Sequence, residues 1–341
     1  MQLRKMLSLV GLSLLLTGCG TTTNSGTTTS NGTTTTSSTT TTTSTTTSST
    51  TTTSSTKAKT STELAALETE YGTFSITPET TTYESNISYD SSTNTYTIAV
   101  DADKVTYVVK GYFAGSIVID DVNNLSDTTT GYKGVCLELQ GAALVSTDGD
   151  PVIKYDVGKK NVEIKSKNGY TNHVIANGSA NAIESDNNVE LSGKGTLNIT
   201  AAQEHAIEAD GDITIYSAGT YNVTTGHDGF HGHNFYTYTD DGDVFSGTLT
   251  MYDIVSQAIE ATDDTALDGL IDITGGTINV DNAESVFKTD TALTIGANAK
   301  VVATNLTGDP VVKLDDNTKT VTITVNGTFT VDGEAYTKTS I

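Results

Sequence analysis

The sequence predicts an all-β chain: a single-stranded, right-handed parallel β-helix of about nine coils. Three observations predict it. First, a small–apolar–polar marker returns along the chain: Ala182-Ile183-Glu184, Ala206-Ile207-Glu208, Gly229-Phe230-His231, Ala258-Ile259-Glu260, Ser285-Val286-Phe287 and Pro310-Val311-Val312. Its middle residues are 24, 23, 29, 27 and 25 positions apart. Second, Gly-Thr followed by an alternating run recurs at similar spacing from Gly195, Gly219, Gly247, Gly276 and Gly327. Between the two lies a third short alternating run, as in Ile213-Thr214-Ile215, Ile271-Asp272-Ile273 and Leu293-Thr294-Ile295. Third, apolar residues alternate with Thr, Asn or Asp within each run, so one face is buried and the other wet. Repeats of this length with three short strands suit coils stacked at the strand spacing, a rod of about 40 Å for nine coils. A two-sheet sandwich is the competing fold, but it does not explain the recurrent marker.

Taken in order, the chain opens with residues 1–18 as a lipoprotein signal peptide. Arg4 and Lys5 precede an apolar run over residues 6–16, too short to span a bilayer comfortably. The run ends in Leu16-Thr17-Gly18-Cys19, a lipobox-like motif that makes Cys19 the lipidation site. A plain secretory signal with an incidental cysteine is the alternative. Acyl chains on Cys19 would tie the protein to the bacterial membrane and expose it at the cell surface. Residues 19–59 are the lipidated cysteine and a Thr/Ser-rich linker that has too little apolar surface to offset its ordering entropy. As a flexible coil, the Thr/Ser tract spans roughly 35 Å.

Residues 60–341 form the β-helical domain. Thr60 and Glu63 predict a capping box opening a short helix to residue 71, with Leu64 and Leu67 on one face, expected to cap the first coil. Strand-like runs follow at Tyr96, Ser116, Gly134, Pro151 and Val162 before the repeats become regular. Without the signal peptide, 16 basic residues face 41 acidic ones, a net charge of −25. Such a surface repels nucleic acid and attracts cations. Cys136, in an apolar run, predicts a buried small hydrophobe.

Stacking turns equivalent positions into neighbours. If Ile183, Ile207, Phe230 and Ile259 point inward, Glu184, Glu208, His231 and Glu260 form an outward column. Asp186, Asp210, His233 and Asp263 follow on the same face, with Asp212, Asp228 and Asp264 close by. At about 4.8 Å and an effective dielectric near 20, like charges repel by roughly 3.5 kcal/mol, falling below about 1 kcal/mol with full exposure. Splaying into water, raised pKa values or a bound cation relieves this. Calcium suits it, since calcium takes six to eight oxygens with tolerant geometry. A solvated acidic face without an ion is the alternative. His227, Asp228, His231 and His233, with His205 one coil away, read either as a zinc or copper site or as a polar turn. The lengthened stretch 234–243 carries Phe235, Tyr236 and Tyr238 beside Asp240, Asp241 and Asp243. Long loops on a rigid rod collect binding residues, so His231, His233, Tyr236, Tyr238 and Asp241 are the candidate ligand contacts.

The run from Ile207 to Ile215, with Gly219-Thr220-Tyr221-Asn222-Val223 and His227-Asp228-Gly229-Phe230-His231-Gly232, resembles the repeat of a family of bacterial carbohydrate-binding parallel β-helices. The resemblance implies a secreted or surface-anchored, calcium-binding protein that recognises acidic plant cell-wall polysaccharide, polygalacturonate especially. It implies calcium contacts at Glu184, Asp186, Glu208, Asp210, Asp228, Glu260 and Asp263. Ala182, Ala206 and Ala258 stand where the family prefers Gly, Gly232 where it places an acid, and His231 interrupts the acidic column. The expected function is therefore a non-catalytic, monomeric surface binder of acidic polysaccharide. A β-helix hydrolase or lyase is one alternative. The only Arg, Arg4, leaves with the signal peptide, so a lyase would need a lysine such as Lys194 as base. A hydrolase would use paired acids such as Asp263 with Asp264 or Asp240 with Asp241. A structural adhesin with a protein partner is the other alternative.

Overall fold

In a computed structural model the chain divides into two units, Met1–Thr51 and Thr52–Ile341. The structure describes residues 58–99, 105–120, 134–157, 161–239, 241–262, 269–314 and 318–341. The expected signal peptide, Cys19 and nearly all of the Thr/Ser-rich segment lie outside the described residues, as do Asp240, Asp263 and Asp264.

The second unit is all-β and winds as a β-solenoid of about seven turns. Its strands make three faces, because the apolar alternation breaks at Gly, Asn and Asp. The longest strands, such as Leu270–Asp281, pass from one face to the next through a register shift at glycine. On the first face Ile117, Ile153, Ile183, Ile207, Phe230, Ile259, Phe287 and Val312 stack in parallel register. On the second, Val135, Val162, Val189, Ile213, Phe235, Ile271, Leu293 and Ile323 do the same. On the third, Leu144, Val174, Ile199, Val223, Met251, Val280 and Ala303 follow. These residues are buried and form one continuous core. Each large member contributes about 1.5–3 kcal/mol relative to exposure.

Two expectations need correcting. The solenoid has about seven turns rather than about nine coils, because upstream coils such as that from Ile117 to Ile153 are longer than the regular repeat. The inward residues of the last two markers are Phe287 and Val312, one position later than the spacing suggested. Val286 and Phe287 are both apolar and buried, so alternation is silent there and the small Ser285 misleads. The outward residues are consequently Lys288 and Lys313.

The helix spans Ser61–Tyr71 with the capping box in place: Glu63 N–H donates to Thr60 Oγ1, and Thr60 N–H donates to Glu63 Oε2 at 2.8 Å. It packs beside the strands Val105–Ala114 and Val135–Ser146, with Leu64, Leu67 and Tyr71 half-buried. Antiparallel strands finish the sheets: Ser75–Pro78 against Val105–Ala114, and Ile87–Asp90 against Thr95–Ala99. No helix among the described residues is long and apolar enough to cross a membrane. Cys136 is a free, buried cysteine.

Candidate functional site

Parallel register brings the outward column together as Lys154, Glu184, Glu208, His231, Glu260, Lys288 and Lys313. Lysines therefore flank the acids. Lys154 Nζ lies 3.7 Å from Glu184 Oε1, and Lys288 Nζ lies 3.0 Å from Glu260 Oε1. His231 Nε2 is 3.7 Å from the same Glu260 oxygen. Between Glu184 and Glu208 the Asn181 amide is shared, donating to Glu184 Oε2 at 3.1 Å and also to Glu208. Much of this column's charge is thus met by the chain's own donors.

Two residues further on, where the first face turns into the second, Asp156, Asp186 and Asp210 follow one another on successive coils. All three are exposed. Partial desolvation first, then the Asp156 carboxyl and the charge of Asp210, push Asp186 up to about 6. His233 continues this row from Asp210, and Thr262 takes the place after it, its N–H donating to Gly232 O at 3.1 Å.

Gly211 links Asp210 to Asp212, which faces a groove on the second face. The groove encloses about 550 Å³ and is lined by Asn161, Asn188, Glu190, Asp212, Tyr216, Tyr236, Tyr238, Asp241 and Asp243, among others. Glu190, Thr214, Tyr236 and Asp272 are outward neighbours on consecutive strands. An amide ladder fixes one side: Asp212 N–H donates to Asn188 Oδ1 at 2.9 Å, Asn234 Nδ2 to Asp212 Oδ1 at 2.8 Å, and Leu270 N–H to Asn234 Oδ1 at 2.9 Å. The long loop closes the other. It is pinned by buried Phe235 and Phe245 and by buried Thr237, whose Oγ1 accepts from Thr274 N–H at 2.8 Å. Tyr238 bridges Val244 across the loop, which presents Asp241 and Asp243.

Tyr236 and Tyr238 meet edge to face at 5.5 Å, and Tyr238 OH donates to Asp272 Oδ2 at 3.3 Å. Burial raises the Asp272 pKa against the opposing hydrogen bonds from Tyr238 and Thr274. Tyr216 OH donates to buried Glu163 at 2.8 Å and to Glu190 at 3.4 Å. Burial, then the charges of Glu163 and Glu190, hold that hydroxyl protonated far above the usual tyrosine range. No Lys, Arg or His is among the groove's described lining residues.

Of the expected contacts, then, Tyr236, Tyr238 and Asp241 converge on this groove with Asp212. His231 instead joins a cluster on the first face with His205, His227 and Asp228. Asp228 is buried, and its Oδ1 accepts from Gln257 N–H at 2.8 Å. Burial favours protonation of this carboxyl, but the hydrogen bond with His205, the Gln257 N–H and the two histidines outweigh it and lower the pKa to about 2. Sequence reasoning missed Asp156, Glu190 and Tyr216, and it placed Asp243 in the long loop without counting it as a contact. Asp156 had a signal, since Ile153-Lys154-Tyr155-Asp156 aligns with Ile183-Glu184-Ser185-Asp186.

A family model described as "Carbohydrate-binding domain-containing protein" matches residues 92–341. No curated protein matches the chain. Among solved structures, the polysaccharide lyase-like protein from C. thermocellum, in its gadolinium derivative, has a similar fold. The TM-score is 0.55 at 19% sequence identity, covering 70% of this chain and 90% of that one.

Proposed function

The chain belongs to the carbohydrate-binding domain-containing protein family, and on that premise we propose a lipid-anchored surface protein that binds acidic, pectin-like polysaccharide through calcium. One observation carries the reading: three tyrosines and four carboxylates from successive coils line a single groove of about 550 Å³. Tyrosines offer flat apolar faces to sugar rings and hydroxyls to their edges. The size lies within the range of small-ligand clefts, and an open groove along a solenoid admits a chain.

An anionic glycan would be repelled by these carboxylates unless a cation lay between. The donor set fits a hard ion, being all oxygen: Asp156, Asp186 and Asp210 along the turn, with Asp212 at the groove, would hold calcium. Calcium held there would supply the positive charge that an anionic polysaccharide needs beside these carboxylates. The Glu184 and Glu208 carboxylates, and Glu260, stand in the neighbouring column and add negative potential, moderated by Lys154 and Lys288.

Cleavage is the second reading, motivated by the groove's clustered acids. With no Lys, Arg or His among its described lining residues, the groove offers a lyase no deprotonated nitrogen base. The deciding experiment titrates the chelator-treated chain with calcium, then with polygalacturonate with and without the ion, while unsaturated and reducing-end products are assayed. Calcium uptake, ion-dependent binding weakened at least about tenfold by Tyr236→Ala, and no products are expected. Binding that survives chelator would overturn the calcium bridge, and product formation would make the protein an enzyme.

A further inference from the structure

We propose that His205, His227 and Asp228 form a zinc-type transition-metal site, separate from the groove. Their donor atoms converge on one point: His227 Nδ1 lies 2.9 Å from Asp228 Oδ2, His205 Nδ1 lies 3.3 Å from the same oxygen, and the two Nδ1 atoms are 3.4 Å apart. Zinc bonds of about 2.0–2.1 Å in a tetrahedron put neighbouring ligand atoms roughly 3.3 Å apart. The triangle already has that size.

The supporting contacts fit as well. Ligating carboxylates are themselves hydrogen-bonded at their second oxygen. Asp228 Oδ1 takes the Gln257 N–H at 2.8 Å, leaving Oδ2 for the triangle. His205 is buried, and its backbone N–H is tied to Asn181 Oδ1 at 3.1 Å. His227 is half exposed, which provides an entry path. An independent observation marks the same cluster. The His231 ring packs on His205 at 4.9 Å, and its buried Nδ1 has no hydrogen-bond partner. Imidazole nitrogens with one carboxylate favour zinc over calcium, which takes oxygen ligands.

The competing arrangement is purely proton-mediated. Asp228 would then accept from both rings, and both Nδ1 atoms would need protons while facing each other at 3.4 Å. Cobalt titration of the purified chain separates the two. The expected result is one cobalt per chain with the visible bands of a tetrahedral site, displaced by zinc. His227→Ala and Asp228→Asn should each weaken uptake at least about tenfold, while His173→Gln leaves it unchanged. His227→Ala is the decisive variant, because a half-exposed side chain can be removed without emptying the core. Asp186→Asn, aimed at the calcium row, should leave the cobalt spectrum intact, so the two metal readings fail independently. No cobalt or zinc uptake, or uptake indifferent to His227→Ala, would overturn the site.

Discussion

Glu138 has lost nearly all contact with water yet stays ionised. Burial alone would raise its pKa. Hydrogen bonds from Lys165 at 2.9 Å, Lys167 at 3.0 Å and Gln140 at 2.6 Å outweigh burial and lower it to about 2. A depressed carboxylate stabilises the fold above its ordinary value of 4.5, and that stability fades as pH falls toward 2. His173 acts earlier in an acid titration. Burial, then the charge of Lys59, lowers it from 6.5 to about 4, so the unfolded chain protonates first and stability falls between those values. Asp186, raised to about 6, gains its proton in the folded chain over nearly the same range and offsets this loss. Acid unfolding is therefore expected chiefly in the lower window, that of Glu138. Glu138→Gln should cost about 2–3 kcal/mol at neutral pH and flatten the lower window only. Denaturant titrations across pH check this, and an unchanged slope below pH 4.5 in the variant would refute it.

At the scale of the element, each turn must satisfy backbone groups that the sheets leave over. Asn172 shows how. It is fully buried, its Oδ1 accepts from Gly141 and Ala142 N–H, each at 2.9 Å, and its Nδ2 donates to Ser166 Oγ at 2.9 Å. The next coil places Leu197 in the same register, so a leucine fits the stack sterically. Asn172→Leu should nonetheless destabilise by about 2–4 kcal/mol, because one buried and one part-buried N–H lose their acceptor. Equilibrium unfolding tests this, and a neutral variant would mean that the turn re-pairs those groups. The same contrast explains what the sequence made legible. Strands repeat their alternation every coil, so Ile183, Ile207, Phe230 and Ile259 could be stacked by counting. Where two apolar residues adjoin, as at Val286 and Phe287, counting slips by one. The groove was legible through Asp212 and through its odd loop, where Tyr236, Tyr238 and Asp241 stood out, whereas Glu190 and Tyr216 resemble any solvated strand position. They belong to the site because parallel stacking brings coils together.

At the scale of the whole molecule, a solenoid has two ends, and each presents unpaired strand edges that template association. At the C-terminal end one segment covers two of them. Tyr336 N–H donates to Phe329 O at 2.9 Å, and the Tyr336 ring stacks on Phe329 at 4.6 Å. Further along, Ile323 N–H donates to Thr339 O at 2.9 Å, and Val321 and Ile341 exchange both backbone bonds at 3.2 Å. The strands Thr322–Val325 and Thr328–Val331 are thereby paired on their outer sides. The chain's net charge of −23 opposes association at long range, but salt screens it beyond about 8–10 Å. Hydrogen-bonded edges at 4.8 Å act inside that distance. Truncation before Gly333 should therefore yield a chain that keeps its β-sheet signal yet self-associates with rising concentration, and more strongly in high salt. Light scattering after size exclusion, at low and high ionic strength, reads the outcome. A truncated chain that stays monomeric at both would show that charge alone guards the edge. Association that weakens with salt would instead assign the new contact to ion pairs rather than to the uncovered backbone.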